Sequence, residues 1–206
     1  MYKILSSSSI GNAVIYFDTI LVDCGIAFAT IKPYIKNIQL ILLSHEHGDH
    51  FNPSTLKAIQ FERPSIRIGC GNFMTEKLTD LKNIDVFEIG KVYNYGAFKV
   101  SPVRLYHDVP NLGYRIFKGD KKIFHATDTF TLEGIAAKNY DLYALEANYD
   151  ETKIWEVIKE KEMQGEYAYQ RGAINSHLSI QQAQNFVIKN ANNNYEFITL
   201  HQSKEF

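Results

Sequence analysis

The chain has 206 residues, with 22 Lys+Arg against 23 Asp+Glu for a formal charge of −1, and 45% hydrophobic against 22% charged residues. That balance is too apolar for a disordered chain, and no apolar run approaches the ~18–20 residues a membrane span needs. Near-neutrality without a polybasic tail gives no support to charge-driven binding of long nucleic acid.

Residues 1–9 carry one lysine and a serine run but no continuous apolar stretch of the signal-peptide kind, so a cytoplasmic location is expected. Strands are predicted at 4–5, 13–17 and 20–22, with turns at Gly11-Asn12 and Asp18-Thr19. Cys24, and later Cys70, read as reduced buried thiols, since a disulfide scaffold would need more cysteines. Residues 39–43, Gln-Leu-Ile-Leu-Leu, form an apolar run without alternation, as in a strand covered on both faces. Asn52 and Pro53 supply the cap and first turn of a helix reaching residue 60. A strand at 67–69 and a capped helix at 72–81 follow. Further strands are expected at 85–89, 91–95, 98–105, 113–117, 122–125 and 141–145. Helices at 152–163 and, capped by Ser179, at 180–189 precede a closing strand at 196–200. Strands and helices alternate in two halves without a linker or repeat. This predicts a single α/β domain over residues 1–206, sheet packed on sheet with helices outside.

The stretch 43–50, Leu-Ser-His-Glu-His-Gly-Asp-His, puts three of the seven histidines within six residues. Following a buried strand, it sits in the loop at that strand's end. His45 and His47, two apart, can point the same way from an extended or tightly turned backbone, but not from one face of a helix. Asp49 and His50 are adjacent and diverge. Two metal ions are therefore expected, one on His45 and His47, the other on Asp49 and His50. Imidazole with carboxylate suits Zn2+ first, with Mn2+ or iron as alternatives. Further ligands are sought at strand or loop ends: His107 after the 98–105 strand, Asp128 after the 122–125 strand, His177 before the last helix, and His201 after the final strand. Four such residues are what a site assembled along one sheet edge requires.

The Ser-His-Glu-His-Gly-Asp-His stretch resembles the signature of the metallo-β-lactamase fold superfamily, and the likeness runs over nearly the whole chain. Residues 5–13 and 21–25 (Leu-Val-Asp-Cys-Gly) are similar to the opening hairpin of a bacterial branch, the YycJ/WalJ-like DNA-processing exonucleases. Residues 107–115 resemble the third histidine motif of that branch and of the tRNase Z endonucleases. Leu145-Glu146-Ala147-Asn148-Tyr149-Asp150, Gln170-Arg171, Ser176-His177-Leu178-Ser179 and Leu200-His201-Gln202-Ser203 follow the branch in their order. The chain departs from it in carrying Asn175-Ser176 where a glycine usually precedes the His-Leu-Ser.

The resemblance implies a four-layer αββα sandwich and two divalent ions. By it, His45, His47 and His107 bind the first ion, Asp49, His50 and His201 the second, and Asp128 bridges them. His177 takes the place of an extra histidine that the superfamily's phosphodiesterases hold near the scissile group, where an imidazolium protonates the leaving oxygen. Asp23 is a candidate either to brace a ligand imidazole or to make a strand-end turn. Glu146 is a candidate supporting partner, and His125, matching no motif, a core or supporting residue. Such a site carries net positive charge, which favours an anionic ester and a metal-bridging hydroxide as nucleophile. The expected function is a phosphodiesterase or nuclease acting on DNA or RNA ends. Two alternatives stay open: a phosphodiesterase for small cyclic nucleotides, as in phage enzymes directed against host defence, and a lactone, thioester or β-lactam hydrolase, where a residue like His177 is not expected. A homodimer could supply further substrate contacts, and no membrane partner is expected.

Overall fold

A computed structural model describes residues 1–168 and 170–202, and the chain divides into two units with the boundary between Lys91 and Val92. In the first, β1 (Tyr2–Ser8), β2 (Gly11–Tyr16), β3 (Ile20–Val22), β4 (Leu40–Leu42), β5 (Arg67–Gly71) and β6 (Ile84–Phe87) form one sheet in chain order. Pairing is antiparallel from β1 to β3 and parallel from β3 to β6. The apolar run expected to be covered on both faces is β4, whose three residues are all buried. Helices α1 (Phe28–Ile31) and α2 (Pro53–Glu62) accompany the sheet. Leu56 and Ile59 of α2 share a core with Ile15, Leu21, Ile41 and Ile68. As predicted, Asn52 caps α2, its side chain accepting from the Thr55 N–H at 3.1 Å, with Pro53 in the first turn.

Two expectations in this unit fail. Gly11-Asn12 is not a turn: the serine run is itself strand, with Ser7 opposite Asn12 and Ser8 opposite Gly11, and the turn falls on Ser9-Ile10. A register shift between Ile4 and Ser6 accommodates this pairing. The 72–81 segment forms only a 3-10 helix at Asn72–Leu78. Its cap position is Gly71, which has no side chain to hold the first turn.

The second unit holds β7 (Tyr93–Asn94), β8 (Lys99–Tyr106), β9 (Pro110–Lys118), β10 (Lys121–Ala126), β11 (Leu142–Glu146) and β12 (Glu196–Leu200). Strands β7 to β10 are an antiparallel meander, while β10, β11 and β12 are parallel. Helices are α3 (Ile154–Met163), α4 (Gln170–Ser176) and α5 (Ile180–Asn190). Helix α5 starts in a reciprocal cap: Ser179 Oγ accepts from the Gln182 N–H at 2.9 Å, and Gln182 Oε1 from the Ser179 N–H at 2.8 Å. Its Ala183, Phe186 and Val187 pack with Phe124, Tyr143 and Leu145 of the sheet. Helix α3 begins at Ile154 rather than 152 because the Asp150 carboxylate takes the Thr152 N–H and hydroxyl in a turn. Helix α4 was not expected, and strand 91–95 shrinks to Tyr93–Asn94.

The meander decides where chemistry can collect. Two antiparallel steps return β10 to the direction of β8, and β11 and β12 run parallel to β10, so all four strands end at one edge of the sheet. Among the described residues, no helix is long and apolar enough to cross a membrane. Ser203 lies outside the described residues.

Candidate metal centre

In the first unit, β3 and β4 run parallel and end side by side, Val22 opposite Leu42. The loop that leaves β4 turns tightly, with the His50 and Phe51 amides both donating to the His47 carbonyl. This brings three imidazoles together: the ring centroids of His45 lie 4.7 Å from His47 and 4.3 Å from His50. His45 and His50 are buried, and His47 is partly so.

A carboxylate behind the loop fixes the rings. Asp23 Oδ2 lies 2.6 Å from His50 Nδ1, and Asp23 also accepts from the Ser44 N–H and hydroxyl, each at 2.8 Å. A carboxylate only accepts, so His50 carries its proton on Nδ1 and its lone pair on Nε2. Ser44 gives its one hydroxyl proton to Asp23 and therefore accepts from His45 Nδ1 at 2.9 Å, which puts the His45 lone pair on Nε2 as well. Of the two roles its sequence left open, Asp23 takes the brace; at φ 60° its N–H still donates to the Leu42 carbonyl of β4 at 2.9 Å, and no turn forms there.

In the second unit the shared edge collects the remaining candidates. His107 follows β8, Asp128 follows β10, Glu146 ends β11 and His201 follows β12. Potential ligand atoms of Asp128, Glu146, His177 and His201 all lie within 4.8 Å of one another. His177 stacks on His201 with centroids 5.2 Å apart and lies 5.1 Å from the His107 ring. His107 donates from Nδ1 to the Ser176 carbonyl at 3.0 Å, and its Nε2 lies 3.0 Å from Asp108 Oδ1. Burial dominates its titration and holds its pKa below the usual histidine range, against the pull of Asp128. His125 lies inside β10, buried, and joins neither group.

Glu146 is the residue at this edge whose weight the sequence did not convey. Fully buried, it accepts on Oε2 from the Thr129 and Leu178 amides at 3.0 and 3.2 Å, while Oε1 makes a short hydrogen bond with His177 Nδ1 and lies 3.3 Å from His201 Nδ1. Burial pushes the carboxyl up, but the His177 charge and these donors hold it below its ordinary range, as a carboxylate. The converse holds for His177. Burial works against the imidazolium, and the Glu146 charge and hydrogen bond, with Asp128 beyond, carry its pKa above the ordinary value.

Unusual backbone conformation occurs in each unit's group. Asp23, Asp128 and His201 have φ of 60°, 55° and 50°, three of the seven described non-glycine residues in the left-handed region. That conformation costs roughly 1–3 kcal/mol per residue and persists where surroundings over-determine it. For Asp128 and His201 those surroundings include neutral side-chain amides. Asn111, buried, donates to the Thr127 and Asp128 carbonyls at 2.9 and 2.6 Å, and Asn148 donates to the His201 carbonyl at 3.1 Å.

Residues 18–188 match the family model described as beta-lactamase superfamily domain. The exodeoxyribonuclease WalJ of Streptococcus pneumoniae serotype 2 is 29% identical over 176 residues. The match covers 72% of this chain and 62% of the relative, so the chain spans less than two thirds of the relative's length. Among solved structures, human tRNase Z, short form, superposes with a TM-score of 0.67 at 19% identity, covering 99% of this chain and 93% of that one. Zn(2+)-bound PqqB from Methylobacterium extorquens gives 0.67 at 10% identity, covering 98% and 88%. Both are likenesses of an α/β fold of the metallo-β-lactamase type.

Proposed function

This chain belongs to the beta-lactamase superfamily domain family, and from that membership we propose that it is a metal-dependent phosphodiesterase acting on the ends of DNA or RNA. One observation carries the reading: His177, paired with Glu146, stands within the same cluster as Asp128 and His201. A histidine whose pKa a carboxylate raises, beside ligand-type residues, is suited to protonate the departing oxygen of a phosphodiester. A lactone or β-lactam hydrolase has no evident use for it. The name of the relative, an exodeoxyribonuclease, supports the nucleic-acid substrate.

The donor set fits divalent cations. His45 and His50 each have Nδ1 committed to an acceptor, so each presents an Nε2 lone pair, while His107 is anchored through Nδ1 to the Ser176 carbonyl. We assign His45, His47 and His107 to one ion, Asp49, His50 and His201 to a second, and Asp128 to both. Zn2+ suits these imidazole and carboxylate donors, and the fold relative PqqB is a Zn(2+)-bound protein. When bound, the ions supply Lewis-acid stabilisation of phosphoryl charge and acidify water. The chain's own residues do the rest. Asp23 and Ser44 fix two ligand rings, Asn111 and Asn148 hold the backbone of Asp128 and His201, and Glu146 keeps His177 charged and aimed.

The test is a substrate panel run with metal-loaded protein: bis-p-nitrophenyl phosphate, end-labelled single- and double-stranded DNA, RNA, cyclic mononucleotides and nitrocefin. Chelator-sensitive shortening of DNA or RNA from an end is the expected result. Turnover of cyclic nucleotides alone would replace the substrate assignment, and turnover of nitrocefin alone would overturn the reaction class.

A further inference from the structure

We propose that Tyr106 and Phe130 form a shelf on which an unpaired base of the cleaved strand stacks, an inference that rests on the phosphodiesterase reading above. Tyr106 closes β8 directly before His107, and Phe130 stands two residues after Asp128. Two residues of chain span at most ~7 Å, so each ring grows from backbone that adjoins a candidate ligand. Both rings are 42% exposed. Their centroids lie 6.0 Å apart at 57°, a tilt that leaves the broad faces unstacked. Two hydrogen bonds lock the pair: the Phe130 N–H donates to the Tyr106 carbonyl at 2.9 Å, and the Tyr106 N–H to Thr129 Oγ1 at 3.0 Å. Thr129 is held in turn, its N–H donating to Glu146 Oε2 at 3.0 Å and its hydroxyl to the Thr131 carbonyl at 2.9 Å. The shelf is therefore tied to the carboxylate that pairs with His177.

Chemistry selects the occupant. Every nucleobase has a π-face, so aromatic rings held open at a reactive edge can stack a base whatever its sequence. A formal charge of −1 without a polybasic run gives charge-driven binding no support, and a strand held here needs another source of affinity. Stacking supplies it. One cation stands alongside: Arg104 is exposed two residues before Tyr106, on the same face of the pleated strand and ~6.8 Å back along it. From there its guanidinium can meet a phosphate of the strand whose base lies on the shelf. In an intact duplex the bases are stacked on one another and their faces are hidden. The base must therefore come from a single strand or an overhang.

The experiment is equilibrium binding to the full chain, in chelator so that nothing is cut, of a fluorescein-labelled single-stranded oligothymidylate and of a wholly abasic strand of equal length and charge. The wild type should hold the base-bearing strand about 5- to 150-fold more tightly, the range one stacked base contributes. Tyr106→Leu with Phe130→Leu keeps the apolar bulk, removes the π-faces and should cut that preference to less than about twofold. Arg104→Gln should weaken both strands alike, because both carry phosphates. A wild type that prefers the base-bearing strand by less than about twofold overturns the proposal, and so does a double variant that keeps the wild-type preference. Should the double variant fail to fold, the wild type still decides: the Tyr106 and Phe130 ring resonances should shift with the base-bearing strand and not with the abasic one. Rings unmoved by both would overturn the shelf. With Zn2+ loaded, a base-bearing overhang should be cut faster than an abasic overhang on the same duplex, and equal rates would remove the shelf from the reactive edge. If neither overhang is cut, the phosphodiesterase reading fails, while the binding comparison in chelator judges the shelf separately.

Discussion

Asp23 and His50 meet through Oδ2 and Nδ1 at 2.6 Å, both side chains buried. Three donors converge on that carboxylate: His50 Nδ1 and the amide and hydroxyl of Ser44. The carboxamide of Asp23→Asn cannot accept from all three, so one bond is lost or the His50 proton moves to Nε2 and blocks the ligand lone pair. Zinc affinity should fall roughly tenfold to a hundredfold, read by chelator competition. Unchanged affinity would remove Asp23 from the ligand support.

Gly25 lies against the main chain of Asp49. A Cβ there would overlap the Asp49 carbonyl carbon and oxygen, which are backbone and cannot swing aside. Gly25→Ala should destabilise the fold by about 1–3 kcal/mol and reduce zinc content, as overpacking displaces the ligand loop. Urea unfolding with metal analysis checks both. Wild-type stability in this variant would mean that the loop is slack.

His177 gives a pH dependence whose direction follows from its neighbours. Its pKa is raised, so the imidazolium persists to higher pH than in a free histidine. Its contribution to stability, and with it the proposed leaving-group protonation, is present at low pH and lost as pH rises through that value. Glu146→Gln removes the charge that holds it up and should shift the alkaline fall in rate to lower pH. His177→Ala should slow esters with poor leaving groups by about 10²–10⁴ while largely sparing p-nitrophenyl esters. Equal slowing of both classes would deny the proton-donor role.

Asp128→Asn tests whether its strained backbone serves function or folding. Asparagine tolerates the left-handed region, and the change removes a carboxylate that opposes the charge on Glu146. The metal-free variant should melt no lower than the wild type while losing ion affinity. A markedly lower melting temperature would make Asp128 a structural residue.

Cys24 and Cys70 are both pushed up to about 12, chiefly by burial. Neither should react with Ellman's reagent at pH 8 in the native protein, and both should react in guanidinium. A rapidly modified thiol in the folded chain would contradict that burial.

The strands and the imidazole cluster were legible because each leaves a local mark. Apolar runs such as residues 39–43 report burial, and Asn52-Pro53 reports a helix start. The clustered His45, His47 and His50 report a shared task in the same way. What the sequence hid was set by partners distant along the chain. The serine run became strand because β2 pairs with it, and no alternation of apolar residues announced that. Glu146 was a candidate supporting partner in the sequence, but which groups it supports depended on Thr129, His177 and His201 meeting around it. Asn111 and Asn148 belong to runs that carry the resemblance, but nothing in their residue type says that they hold the carbonyls of Thr127, Asp128 and His201.

The turn between β9 and β10 falls at the far end of the strand that delivers Asp128. Gly119 occupies it at φ 60°, with nothing within 4 Å of where a side chain would begin. Six residues of β10 at ~3.3 Å each put that tip roughly 20 Å from the Asp128 carboxylate. A fluorophore or affinity handle grafted there would report on or immobilise the molecule while leaving the reactive edge untouched.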